Sequence, residues 1–399
     1  MKKNVLTLLS MVVMLSVTSC TVEISEENGT INNGTNPPAS SNIITGNITQ
    51  SITYPKGNYT LKGIVKVMNN ATVTFEPGSV ITAVTSVESG LVILQDGKID
   101  AQGTASEPIV FTSDAKHPGD WGGITLYGRA PIKAVNGATT ALSEDGNNVY
   151  YGGTDANSNS GIMKFVRVEY GGRKIGDGTS ETNSMTFYSV GAGTILENLV
   201  SYKGTDDGYE FFGGTVSAKN LVSYGNFDDS FDWQDAWSGQ NNSNWYAYQT
   251  GTGNFGMEIE SSGNADNTAP KISNITLIRA ANTNPEVAGS AEISAIQFKK
   301  QGTGIFTNVY IDGYKNMGGK SAYAVLIQDA ATETSQLLTN KIKVDPINYV
   351  NSDNAGVWGY GYTPASVKTF TNATTVTKVS LTPGAWATVD GVNLLAGLQ

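Results

Sequence analysis

Two segments 22 residues apart carry acidic side chains at matching positions. Residues 197–212 read ENLVSYKGTDDGYEFF and residues 219–234 read KNLVSYGNFDDSFDWQ, so Asp206 aligns with Asp228, Asp207 with Asp229 and Glu210 with Asp232. Side chains alternate between the two faces of a strand. Tyr209/Phe231 and Phe211/Trp233 are large and apolar in both copies and are expected to point inward. Glu210 and Asp232 then point outward, and Asp206 and Asp228 share their face if the strand runs that far. Four carboxylates on one patch repel one another. Water, a lysine such as Lys203 or Lys219, a raised pKa or a bound cation must relieve them. Clustered oxygen donors suit calcium, so Asp206, Glu210, Asp228 and Asp232 form a candidate Ca²⁺ site. The competing reading has Asp206–Asp207 and Asp228–Asp229 accepting backbone N–H groups at the turn before the strand.

The same acids bear on catalysis. Glycoside hydrolysis needs carboxylates at a fixed separation, and a lyase needs a basic side chain near its cleft. Asp206, Asp228 and Asp232 are the alternative catalytic set, with Glu210 and Asp235 beside them; Arg167, Arg173 and Lys203 are the available cations. No segment carries a lyase or hydrolase signature, and a solenoid scaffold does not by itself license an activity. Binding without catalysis is therefore the primary expectation. Trp237, Trp245 and Tyr246 flank the polar run SGQNNSN, beside Asn242 and Asn244. They either form an exposed shelf for a sugar ring or fill the core. His117, the one histidine, and Cys20, the one cysteine, exclude zinc sites built from clusters of either.

The elements that must hold these residues are strands. Runs such as Thr60–Val67, Thr72–Phe75, Leu91–Leu94 and Ile109–Phe111 are short, β-branched and bounded by Gly, Asn or Asp. A 22-residue period containing such runs is one rung of a parallel β-solenoid: a rung cannot bury its own apolar side, and stacking the next one closes a continuous core. An antiparallel sandwich would not repeat both halves in register. A weaker copy, Val168-x-Tyr170, aligns with Val200-x-Tyr202 at an offset of 32. Asn198, Asn220, Asn274 and Asn308 each precede a β-run. Stacked, they would form an amide ladder at a turn that needs the left-handed conformation.

The amino terminus is read as an export signal. Lys2 and Lys3 precede a mostly apolar run from Val5 to Val17, too short to span a bilayer, and Val17-Thr18-Ser19-Cys20 resembles a bacterial lipobox. Cleavage before Cys20 would leave a lipidated, palmitate-bearing cysteine and no thiol for a disulfide. It would also leave 23 basic side chains (25 less Lys2 and Lys3) against 35 acidic ones, a net charge of −12. That charge argues against nucleic acid as a partner; the membrane is met through the lipid. The expected organisation is a signal peptide over 1–19, an acidic tether over 20–45 carrying Glu23, Glu26 and Glu27, a β-helix over 46–340 and a β-rich C-terminal cap over 341–399.

Over residues 55–335 the chain resembles right-handed parallel β-helix lipoproteins of Bacteroidetes-like bacteria, with a pectate-lyase-like solenoid. The resemblance is carried by Ala71-Thr-Val-Thr-Phe-Glu-Pro-Gly-Ser-Val80, Gly103-Thr-Ala-Ser-Glu-Pro-Ile-Val-Phe-Thr112, Gly119-Asp-Trp-Gly-Gly-Ile124 and Gly204-Thr-Asp-Asp-Gly208. It implies an all-β right-handed solenoid held at the outer membrane, and the acidic tether adds surface display. It implies little about activity. Three functions follow as expectations: a surface protein binding glycan or protein ligands, a lyase or hydrolase working at residues 206–235, or a structural envelope component with no required cofactor.

Overall fold

The computed structural model describes residues 41–175 and 180–399. Cys20, the signal segment and the tether as far as residue 40 lie outside the described residues. Among those described, 24 strands pair in parallel, rung upon rung, as a right-handed β-helix with three sheet faces. The first sheet runs from Ile52–Tyr54 through Thr72–Phe75 and Lys98–Gln102 to Ile342–Val344. The second runs from Ile43–Ile48 and Asn58–Val67 through Val80–Ala83 and Ile109–Ser113 to Ile347–Val350. Between these limits six long strands serve both sheets, among them Ile195–Tyr202, Ala218–Tyr224 and Asn242–Gln249. The third sheet stacks Gly90–Ile93, Ile124–Tyr127, Met185–Tyr188, Tyr209–Phe212, Asp232–Gln234, Met257–Ile259, Ile296–Phe298, Val325–Ile327 and Trp358–Tyr360.

The long strands bend at the asparagines. Asn198, Asn220, Asn244, Asn274 and Asn308 all have φ between 55° and 60°, the left-handed region that an asparagine tolerates better than other side chains with a Cβ. Each from Asn220 onward donates from Nδ2 to Oδ1 of the asparagine one rung back, at 2.8–3.1 Å. The amide ladder is therefore present and has one more member, Asn244, than the β-run pattern indicates. Off the third sheet, Gly213 and Gly214 (φ 61° and 84°) make the turn, and a Cβ on Gly214 would lie 2.5 Å from the Val190 carbonyl oxygen.

The repeat is a register. Leu199 pairs with Leu221, Tyr202 with Tyr224 and Glu210 with Asp232, all 22 apart. The rung before it pairs at 33, not 32: Val166 lies beside Leu199 and Val168 beside Ser201. One residue of slip reverses the faces. Val168 accordingly points into the core, while Arg167 and Glu169 face outward. Tyr170 still meets the Tyr202 ring, at 5.6 Å, because its own φ of 62° turns it back.

The solenoid extends past both ends of the 46–340 span. Ile43–Ile48 already pairs with Asn58–Val67. At the other end Ile342–Val344, Ile347–Val350 and Trp358–Tyr360 form another rung. The chain then turns back, and residues 379–395 lie along the outer face of the second sheet rather than over its end. Val379, Trp386, Val389 and Leu394 bury Val200, Tyr202, Val222 and Tyr246 there. Arg167 Nη1 holds this strap by donating to the carbonyls of Ala385 and Thr388, at 2.7 and 2.9 Å.

Candidate cation site in the third-sheet cleft

Alternation places Tyr209, Phe211, Phe231 and Trp233 in the core and turns Glu210 and Asp232 outward. Outward is not exposed here. Both carboxylates sit in the floor of a cleft of about 330 Å³ whose walls are loops. Asp206 and Asp228 come from those loops, since the strands begin only at Tyr209 and Asp232. The cleft is lined by nine carboxylates, those of Glu144, Asp206, Asp207, Glu210, Asp228, Asp229, Asp232, Glu258 and Glu260, and by two ammonium groups, Lys299 and Lys300.

The paired aspartates divide their work. Asp207 Oδ1 accepts the Asp229 N–H at 2.9 Å, and Asp229 Oδ1 accepts the Phe255 N–H at 2.6 Å. Asn183 does the same one rung earlier for the Asp207 N–H. The second aspartate of each pair is thus the turn cap, in series up the solenoid. The first aspartates are not caps: Asp228 accepts from the Asn254 side chain and Asp206 faces the cleft. Glu210 accepts from Asn183 and from Gln234.

Asp232 is the outlier. It is 9 % exposed, and its Oδ1 is buried with no hydrogen-bond partner. A buried carboxylate left so costs several kcal/mol unless it is protonated or meets a cation. Oxygens of Asp207, Glu210 and Asp232 lie within 4.8 Å of one another. So do those of Asp229, Asp232 and Glu258, and of Asp206, Asp207 and Asp228. An ion with ligands at about 2.4 Å reaches oxygens up to about 4.8 Å apart across itself. The donor set is all oxygen and anionic, which suits calcium rather than a softer metal.

Electrostatics agree. Burial first, and neighbouring carboxylates second, push Asp206, Asp207, Glu210 and Asp229 well above the usual carboxylate range. Burial and Glu258 do the same to Asp232, against a smaller opposing effect of Lys299. Asp228 is pushed up to about 7 by burial, opposed by the hydrogen bond from Asn254. Burial works against the Lys299 ammonium, but Glu258, Asp232 and Glu260 outweigh it, so its pKa rises. Lys299 is an ion-pair partner, with Glu258 and, at 3.6 Å, Glu260; Lys300 pairs with Glu260 at 2.7 Å.

A family model for the pectate-lyase-like beta helix domain matches residues 46–388. The chain belongs to that family. No curated protein and no solved structure gives a match. In this β-helix the four carboxylates expected to meet do line one cleft. The cations do not: Lys203 lies over the Tyr202 ring, Lys219 is on the first sheet, Arg173 pairs with Glu88, and Arg167 pairs with Glu169 beneath the strap. Asp235 is tied to Tyr151 and Ser262, outside the cleft lining.

The aromatic shelf is absent. Trp237 and Trp245 are core residues, 1 % and 0 % exposed, with Nε1 donating to the Val216 and Ala218 carbonyls. Truncating a ring so placed costs about 3–5 kcal/mol. Tyr246 is covered by the strap. Asn242 caps backbone groups on neighbouring rungs and Asn244 belongs to the amide ladder, so neither is free for a sugar. Trp121 is buried, as its place after a Gly-Asp turn suggests, and His117 is exposed.

Reasoning from the repeat missed Glu258, Glu260, Lys299, Lys300 and Glu144. Met257-Glu258-Ile259-Glu260 continues the alternation of Phe231-Asp232-Trp233-Gln234 at an offset of 26, a signal hidden by four inserted residues. Nothing local marks Glu144, which an insertion between Tyr127 and Gly161 brings to the rim.

Proposed function

We propose that this chain is an exported, lipid-anchored outer-membrane protein, displayed at the cell surface, that binds calcium in the third-sheet cleft and presents the loaded cleft to a glycan or protein ligand without turning it over. The single observation that carries the reading is Asp232 Oδ1, buried and without a partner among eight other carboxylates. Asp207, Glu210 and Asp232, or Asp229, Asp232 and Glu258, would hold the ion. Bound there, calcium would neutralise charge and offer open positions to ligand oxygens. Export and anchorage are supported by Lys2, Lys3, the apolar run and Cys20. Absence of turnover is supported by the cations: Lys299 is held as an ammonium by Glu258 and Glu260 and is no base for elimination.

Calorimetric titration of the full chain in detergent with calcium tests the site. Saturable binding lost in Asp232→Asn supports it; no heat in the parent chain overturns it. Palmitate labelling lost in Cys20→Ser tests the anchor separately. One observation favours a second reading, hydrolysis: a carboxyl near 7, as at Asp228, is what a general acid needs. Release of reducing ends, abolished by Asp228→Asn, would replace the first reading with the second. Failure of both tests leaves a structural envelope component.

A further inference from the structure

The asparagine ladder is one member shorter than the set of long strands. Register sets Phe165 beside Asn198, since Lys164 pairs with Glu197 and Val166 with Leu199. Phe165 makes the same bend at φ 48°, a left-handed conformation that is an outlier for a bulky side chain and persists only where the surroundings impose it. It offers Asn198 no side-chain acceptor. Its ring instead meets Trp386 of the C-terminal strap edge-on, at 5.8 Å. The groups around that contact all fasten the strap. The Trp386 N–H donates to the Ala105 carbonyl at 3.2 Å, and a Cβ on Gly384 would lie 2.6 Å from the same oxygen. Arg167, two residues on, holds the carbonyls of Ala385 and Thr388.

The strap itself adds no strand to the solenoid. Among the described residues Thr388–Val389 and Val392–Asn393 pair only with each other, and residues 371–375, which lead into the strap, are mostly exposed. The Val379 N–H bonds to Thr276 Oγ1 at 2.8 Å. From there to Trp386 the strap passes four rung steps, from Thr276 to Tyr246, Val222, Val200 and Arg167, about 19 Å at about 4.8 Å each. The seven residues between reach about 25 Å when extended, so the strap has little slack and one place to fasten. We infer that the strap is a latch, a separate cooperative unit that opens over an intact solenoid, and that Phe165 gives up its place in the amide ladder to serve as the catch. Opening breaks no sheet hydrogen bond and bares the apolar strip of Val200, Tyr202, Val222 and Tyr246. The rung bears a strained bend, and what that bend supports is the closed strap. The latch lies on a different face from the cation cleft and does not need calcium.

Native-state hydrogen exchange of the full chain in detergent micelles with EDTA tests this. Residues 376–398 should exchange together and faster than the strands beneath them, Ile195–Tyr202 and Ala218–Tyr224, because a unit that opens by itself opens more often than the whole protein unfolds. Phe165→Asn should move the two layers in opposite directions. Protection over 376–398 should fall about fivefold with loss of the aromatic contact. Protection over Gly161–Glu169 should rise about fivefold, as the bend takes a residue suited to it and Asn198 gains an acceptor. Trp386→Ala should likewise open the strap, read as increased binding of anilinonaphthalenesulfonate, without raising protection over Gly161–Glu169. Strap and strands exchanging at one rate in the parent chain overturns the proposal. So does Phe165→Asn if it leaves strap protection unchanged or lowers protection in both layers, which would make Phe165 an ordinary core contact.

Discussion

Two ladders climb this solenoid, one of amides and one of carboxylates, and identical stacking has opposite consequences in them. An asparagine side chain is both donor and acceptor, so Asn220 gives a hydrogen bond to Asn198 and takes one from Asn244. Any number of rungs can be added and each satisfies the last. An ionised carboxylate only accepts. Asp207 and Asp229 escape the problem by taking backbone N–H groups from the next rung. Glu210, Asp232 and Glu258, stacked on the third sheet, have no such supply and must share protons, lysines or a cation. A ladder of amides is a structural device complete in itself, whereas a ladder of carboxylates needs a guest.

The largest effect should come from titrating the second ladder. For these buried carboxyls the folded pKa lies above the unfolded value of about 4. The stability they contribute is therefore whole below about pH 4 and is lost as pH rises through the folded value, about 7 at Asp228. Calcium-free protein should lose on the order of several kcal/mol between pH 5 and 8 in urea unfolding. Calcium at about a hundred times its Kd should return about 2.7 kcal/mol at the upper end. A flat profile in EDTA would erase the difference between the ladders.

Breaking the first ladder should cost less. Asn220→Ala removes two hydrogen bonds of about 1 kcal/mol each and puts alanine in a left-handed position at about 1 kcal/mol more. Urea unfolding should register about 3 kcal/mol, with little dependence on pH or calcium. Asp207 separates the roles of cap and charge. Asp207→Ala orphans the Asp229 N–H and should cost about 1–3 kcal/mol. Asp207→Asn keeps the acceptor and should stay within about 1 kcal/mol of the parent in EDTA at pH 7. The smallest and sharpest test is Asn220→Asp. Its protonated form can still donate to Asn198, so its folded pKa is raised and the variant should be closer to the parent at pH 4 than at pH 7. Equal deficits at both would mean that the ladder hydrogen bonds are not what stabilises the bend.

The repeat over 197–234 was legible because a solenoid writes its geometry into the chain by translation. Residues that stack must be alike in size and polarity, so sequence offset becomes spatial register. The same logic misread the rung before by one residue, since a weak two-residue match cannot distinguish an offset of 32 from 33. It also left the aromatic residues near 237–246 undecided between shelf and core. Trp245 lies 24 residues beyond Leu221, an offset that the 22-residue repeat does not reach, and only the stacking of Leu221, Trp245 and Ile275 shows that it points inward.

The sequence alone determined the all-β solenoid, the asparagine bend and the outward turn of Glu210 and Asp232, because each follows from local alternation or from exact repetition. The tertiary structure decided what surrounds those carboxylates. Loops of unequal length deliver Asp206, Asp228 and Glu144 to the cleft; Lys299 and Lys300 arrive from a rung 39 residues or more beyond Glu258 by register, Glu258 pairing with Gln297. The C-terminal strap, not the repeat, decides that Tyr246 is covered. Stacking forces likeness on the strands and leaves the loops free. The scaffold is therefore readable one rung at a time, and the site only when the rungs are assembled.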